Sequence, residues 1–270
     1  MFVQIARTVR FCVDPSRPSH FDTPRSNTFA GWPSMDGIGA YYELDVVCQG
    51  RADPTTGYLI SISKLDKLAR EHSVPAMAAA MRDRPSEHPG SVIARVLDAL
   101  HGELGQMLVG VRWRLTPYYC VQMQSGARHQ VLMSQQFEFS AAHRLHCDSL
   151  DEQTNRQLFG KCNNANGHGH NYRIEVAVTL PLPHDGGDGM MRLGELERIV
   201  DQTVIQRFDH KHLNLDTTDF AGLNPSVEHI AMVCHDLLQG PIKTAGAQMH
   251  HVTVWETAKT SCTYPAPPGA

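Results

Sequence analysis

Apolar and polar residues alternate most regularly at "HGHNYRIEVAVTL", where Tyr172, Ile174, Val176 and Val178 take turns with Arg173, Glu175 and Thr179. A period of two predicts a strand with one buried face. His168 and His170 share the parity of that face, so two imidazoles project from its buried side near the strand's start. Beyond the turn-rich "PLPHDGGDG", Leu193, Leu196, Ile199, Val200 and Val204 recur at helical spacing. A second helix is predicted at "SVEHIAMVCHDLLQ", opened by Pro225 and Ser226, with Val227, Ile230, Ala231, Cys234 and Leu237 on one stripe. "HHVTVWET" and "SCTYP" read as two short strands, and in "FEFSAAHRLH" the residues Phe137, Phe139 and His143 share one strand parity. From about residue 131 the order is strand, strand, helix, helix, strand, strand. The ending "PAPPGA" reads as disordered.

The first half repeats this plan in weaker form. "GIGAYYELDV" lies over "GHGHNYRIEV" with Gly, Gly, Tyr and Val coinciding, and Leu44/Ile174 and Asp45/Glu175 are conservative pairs. "SKLDKLA" parallels "GELERIV", "SVIARVLDAL" parallels "SVEHIAMVCHDLL", and "VRWRLTP" parallels "VTVWETA". The chemistry does not repeat: Ile38 and Ala40 stand where His168 and His170 stand, and Thr116 stands where Glu256 stands. The first copy reads as chemically silent, and residues 122–130 read as the connector.

Composition narrows the class. The chain has 270 residues, 41% hydrophobic content and a net charge of -4, enough to bury a core. A sequence pI near 6.4 and the lack of a Lys/Arg run argue against a nucleic-acid surface. No apolar stretch approaches the ~18 residues of a membrane span, and the start "MFVQIARTVRFCVDP" lacks an apolar core with a cleavage site. Seven cysteines, an odd number without a C-x-x-C pair, fit reduced thiols. These features point to a cytoplasmic protein.

Two histidines at i and i+2 on a strand can ligate one ion, and Zn2+ is the natural candidate for imidazole donors. A catalytic zinc wants a third protein ligand; His143 offers one, with His146 as the local competitor. Cys162, in the polar turn-forming "KCNNANG", reads as a thiolate base or nucleophile, a fourth ligand, or a plain surface thiol. Near a cation and Lys161 its pKa is expected to be lowered. Asp209 and His210 are adjacent, as in a carboxylate that orients or charges an imidazole. Glu256, in the alternating "VTVWET", is a carboxylate able to pair with a guanidine-like edge.

Together, "FSAAHRLH", "FGKCNNANGHGHNY", "DHKHLN", "NPSVEH" and "VWET" resemble the 6-pyruvoyltetrahydropterin synthase family, which includes the bacterial 6-carboxytetrahydropterin synthases of queuosine (7-deazapurine) biosynthesis. The resemblance spans about residues 131 to 264 and implies an α+β tunnelling fold, or T-fold, with an antiparallel sheet. The chain would hold two tandem modules, each strand, strand, helix, helix, strand, strand: a degenerate one at 1–121 lacking metal ligands, and a catalytic one at 131–264. A homo-oligomer is implied, a trimer of tandem chains matching the family's six modules.

By the same resemblance, His143, His168 and His170 bind zinc, Cys162 is the general base, and Asp209 and His210 form a relay. Glu256 anchors the pterin, and Glu228 matches a second position near the pocket. The implied activity is a carbon-oxygen lyase that eliminates triphosphate from 7,8-dihydroneopterin triphosphate, giving 6-pyruvoyltetrahydropterin. Alternatives are the 6-carboxy product or a non-catalytic pterin-binding assembly protein. The C-x5-H-G-H spacing leans to the pyruvoyl type, while Arg192 stands where the family usually has an acidic or amide residue. A cupin reading fails on parity, because Glu175 points away from the histidines.

Overall fold

The computed structural model describes residues 1–14, 38–183 and 189–266. The chain divides into two compact units, Met1–Met133 with Leu180–Met190, and Ser134–Thr179 with Met191–Ala270. Both are mixed α/β units. Part of "PLPHDGGDG" and most of "PAPPGA" lie outside the described residues.

The first unit contains β1 (Phe2–Val13), β2 (Ala40–Arg51), α1 (Ile62–Asp83), α2 (Pro89–Leu104), β3 (Leu108–Arg114) and β4 (Tyr119–Gln124). The strands are antiparallel neighbours in chain order. Val9, Phe11, Leu44, Val46, Val111 and Trp113 alternate inward to a core shared with Leu65, Val92, Leu97 and Leu100 of the helices. The opposite sheet face is charged: Arg10 donates to Glu43 at 2.9 Å, and Arg114 to Asp45 at 2.6 Å. Residues 122–124, expected as connector, complete β4, leaving only a short turn before the next strand.

Glu87, ahead of α2, accepts from Arg95 Nη2 at 2.9 Å and lies 3.3 Å from Arg84. The Arg95 hydrogen bond holds its carboxyl below the ordinary range. A lowered folded pKa stabilises above the unfolded value and is lost as pH falls through the folded one. Glu87→Gln is therefore expected to cost about 1 kcal/mol at neutral pH, with the gap to wild type closing below about pH 4 in urea unfolding followed against pH.

The second unit contains β5 (Gln130–His143, its first residues in unit one), α3 (Glu152–Phe159) and a 3-10 turn (Gly160–Asn163). Next come β6 (His168–Pro181), α4 (Leu193–Val200), a π-helical turn (Asp201–Ile205), α5 (Gln206–Phe208) and β7 (Lys211–His212). α6 (Val227–Thr244), β8 (Gln248–Thr257) and β9 (Thr260–Tyr264) complete it. The neighbours run β5, β6, β8, β9, with β7 parallel to β5 through Ala141/Lys211 and Ala142/His212. The strand predicted from alternation is β6, and Tyr172, Ile174, Val176 and Val178 are all fully buried. Phe139 stacks on Tyr172 with centroids 5.1 Å apart, anchoring the ends of β5 and β6 together.

The stripe predicted as one helix over 193–208 is interrupted by the π turn, which keeps Val200, Val204 and Phe208 buried. Arg192 takes the N-cap of α4 and makes no side-chain cap hydrogen bond, having no acceptor oxygen to offer. α6 begins as predicted, with Ser226 capping the His229 N–H. Among the described residues, no helix is long and apolar enough to cross a membrane.

Candidate metal and thiol site

β5 ends at His143 and β6 begins at His168, so the edges of two neighbouring strands present three imidazoles to one point. Each of His143, His168 and His170 offers a ligand atom, and those atoms all lie within 4.8 Å of one another. His143 Nε2 and His168 Nε2 are 3.1 Å apart, close to the ~3.3 Å separation of two nitrogens on one tetrahedral zinc. His146, the sequence competitor, is held elsewhere, with Nδ1 3.0 Å from Asn163 Nδ2 and 3.2 Å from an Arg144 nitrogen.

His143 is fully buried, and its Nδ1–H donates to the Pro225 carbonyl at 2.6 Å. That bond fixes the tautomer and leaves the Nε2 lone pair facing the cluster. Burial pushes its pKa down to about 4, so the ring is neutral at physiological pH. His168 is also lowered, first by burial and then by His170. His168 Nδ1 and His170 Nε2 are buried without a hydrogen-bond partner among the described residues. Buried polar atoms left unpaired are costly, and three converging imidazoles are a donor set able to hold a cation.

Glu256, near the end of β8, stands against the histidines: its Oε1 is 3.4 Å from His143 Nε2 and 3.7 Å from His170 Nε2. Cys162 is half-buried in the 3-10 turn, with its carbonyl accepting from Leu145 N–H at 2.9 Å. Burial and then the Glu256 carboxylate push the thiol up.

Asp209 and His210 sit beside β5. Asp209 accepts from Ser140 N–H at 2.8 Å and lies 2.7 Å from His210 Nδ1, and the Ser140 bond is the main cause holding its carboxyl low. His210 has a positive φ of 56°, a left-handed conformation of the kind often held at functional positions, and its side chain is 82% exposed. Its hydrogen bonds tie it to Asp209 and to the Ser140 carbonyl. Glu228 is exposed in the first turn of α6, its carboxyl lowered chiefly by Ser226.

One contributor, His212, escaped the sequence reading. His212 on β7 is close enough to His143 to help lower its pKa, after burial and the other two imidazoles, and its Nδ1 is buried and unpartnered among the described residues. Gly167, immediately before His168, has φ 71°, and a Cβ there would meet His212 Nε2 at 2.6 Å and the His143 carbonyl oxygen at 2.9 Å. Gly167→Ala therefore combines strain with a clash against backbone. It is expected to cost about 2 kcal/mol or more and to weaken metal retention, read by thermal unfolding and by metal analysis of the purified variant.

Residues 132–267, which carry every group above, match the family described as 6-pyruvoyl tetrahydropterin synthase. The chain belongs to that family. The 6-pyruvoyl tetrahydrobiopterin synthase of Homo sapiens is 37% identical over 140 residues, covering 52% of this chain and 94% of the human protein. The enzyme of that name from Drosophila melanogaster is 35% identical over 130 residues, covering 48% of this chain and 76% of its own. The solved 6-pyruvoyl tetrahydropterin synthase of Caenorhabditis elegans is 32% identical, with TM-score 0.47, covering 51% of this chain and 96% of that one. Membership in this synthase family makes the chain an enzyme of the lyase class.

Proposed function

We propose that the chain is a zinc-dependent lyase that eliminates triphosphate from 7,8-dihydroneopterin triphosphate to give 6-pyruvoyltetrahydropterin. The observation that carries this reading is the convergence of His143, His168 and His170 within 4.8 Å, inside the segment that matches the synthase family. The donor set fits Zn2+, since three imidazole donors leave a coordination position open for substrate. When bound, the ion supplies Lewis acidity at the substrate's side-chain hydroxyls, acidifying the neighbouring C–H.

The chain's own residues do the rest. Cys162 Sγ takes the proton from that carbon, and His210, oriented by Asp209 at 2.7 Å, receives or returns protons. Glu256 and Glu228 accept the paired N–H donors of the amino-pyrimidinone edge. Supporting its place beside the ion, Glu256 Oε1 lies 3.4 Å from His143 Nε2. The relatives' names favour the 6-pyruvoyl product over the 6-carboxy one.

The whole chain reads as a tandem of two T-fold modules, the first at 1–121 and the second at 131–264. Supporting this, the first unit runs strand, strand, helix, helix, strand, strand, and the second keeps that order apart from α3 between β5 and β6 and the short β7 before α6. In the first, Thr116, the counterpart of Glu256, accepts the backbone N–H groups of Tyr118 and Tyr119 in a turn. A homo-oligomer, a trimer of such chains, would close the modules into a barrel. The exposure of His210 supports a relay that meets the thiol of a neighbouring module. The seven free thiols support a cytoplasmic setting.

The test is inorganic triphosphate release, followed by phosphorus NMR, for the full chain with bound Zn2+ and after chelation. Release is expected from the loaded protein and restored by added Zn2+. Equal release from the chelated protein would contradict metal dependence.

A further inference from the structure

We propose that His250 and His251 form a second metal site, distinct from the His143 cluster, for a divalent ion of tetragonal preference such as Cu2+ or Ni2+. Consecutive strand residues ordinarily point to opposite faces of a sheet. Here the register of β8 against β6 pairs His251 with Ala177 and Met249 with Val178, which leaves His250 as the extra residue of a β-bulge. The bulge turns both imidazoles to one side, with ring centroids 5.0 Å apart, planes at 73°, and the two Nδ1 atoms 2.7 Å apart.

At that separation one Nδ1–H donates to the lone pair of the other ring, and a cation can take the place of the shared proton. With metal–nitrogen bonds of about 2.0–2.1 Å, a 2.7 Å bite subtends roughly 80° at the ion. That is near the right angle of a square-planar or tetragonal field and well short of the tetrahedral angle preferred by structural zinc. The far side of the His251 ring is oriented as metal-bound histidines commonly are: Nε2 faces Glu175 Oε1 at 3.7 Å, and Glu175 Oε2 accepts from Gln136 Nε2 at 3.4 Å. His251 is 21% exposed and His250 is an exposed residue, so water can complete the coordination sphere. His251 precedes Glu256 by five strand positions, placing the pair about 16 Å along β8 from the cluster, with no shared ligand.

The experiment is a calorimetric titration of the full chain, loaded first with one equivalent of Zn2+, using Ni2+ as the probe; a parallel Cu2+ sample is read by EPR. One further equivalent of Ni2+ is expected to bind wild type. Its affinity should fall at least about tenfold in His250→Ala and in His251→Ala, while His168→Ala, titrated without added Zn2+, retains it. The Cu2+ spectrum should show coupling to two nitrogens in wild type and lose it in His250→Ala. His250, the exposed partner, decides the matter if His251→Ala misfolds by circular dichroism. Unchanged Ni2+ affinity in His250→Ala, no further equivalent in wild type, or its loss in His168→Ala would each overturn the proposal.

Discussion

Cys162→Ala is expected to keep its fold and its metal while losing activity by about 10²–10⁴-fold, the range for removing a general base. The thiol is half-buried, close enough to Glu256 to feel its charge, and lies outside the three-imidazole set, so its loss leaves that set intact. Because burial and Glu256 raise its pKa, the thiol in the unliganded protein is a poor base at neutral pH. The variant should therefore be read for kcat and for zinc content in the same preparation. Full zinc occupancy with near-background turnover is the expected pair of results. Full activity with full zinc would assign the proton transfer to another group, and His210 would be the next to change.

His168→Ala is expected to remove both metal and activity. His168 supplies one of three nitrogens and is only half-buried, so its truncation costs little packing compared with His143, which is fully buried and bonded to Pro225. Deleting one of three ligands should weaken zinc by more than about 100-fold, since even outer partners of a ligand are worth 10–100-fold. Metal analysis after dialysis should find the variant essentially zinc-free, with a circular dichroism spectrum like that of wild type. The contrast with Cys162→Ala separates binding from chemistry: one variant keeps the ion and loses turnover, the other loses both.

The strand carrying two of the histidines was legible because a period of two, sustained from Tyr172 to Val178, leaves no helical alternative. His143 was separable from His146 by parity alone only as far as β5 runs, and the strand stops at His143. Other elements left weaker traces. The π turn at Asp201–Ile205 carries the same apolar stripe as an unbroken helix, so periodicity reads straight through it. α3 escaped notice because "EQTNRQLF" buries only Asn155, leaving no apolar stripe to find. The position of His212 depends on a two-residue parallel pairing of β7 with β5, a long-range contact that the local sequence "FDHKHLN" does not encode. The thiol's raised pKa likewise follows from burial and then from Glu256, both of which exist only in the folded chain.

The most direct test of the central claim is to incubate the zinc-loaded full chain with 7,8-dihydroneopterin triphosphate and identify the pterin product by mass spectrometry. The account predicts loss of triphosphate and the mass of 6-pyruvoyltetrahydropterin. Unaltered substrate, with zinc confirmed in the protein, would contradict it.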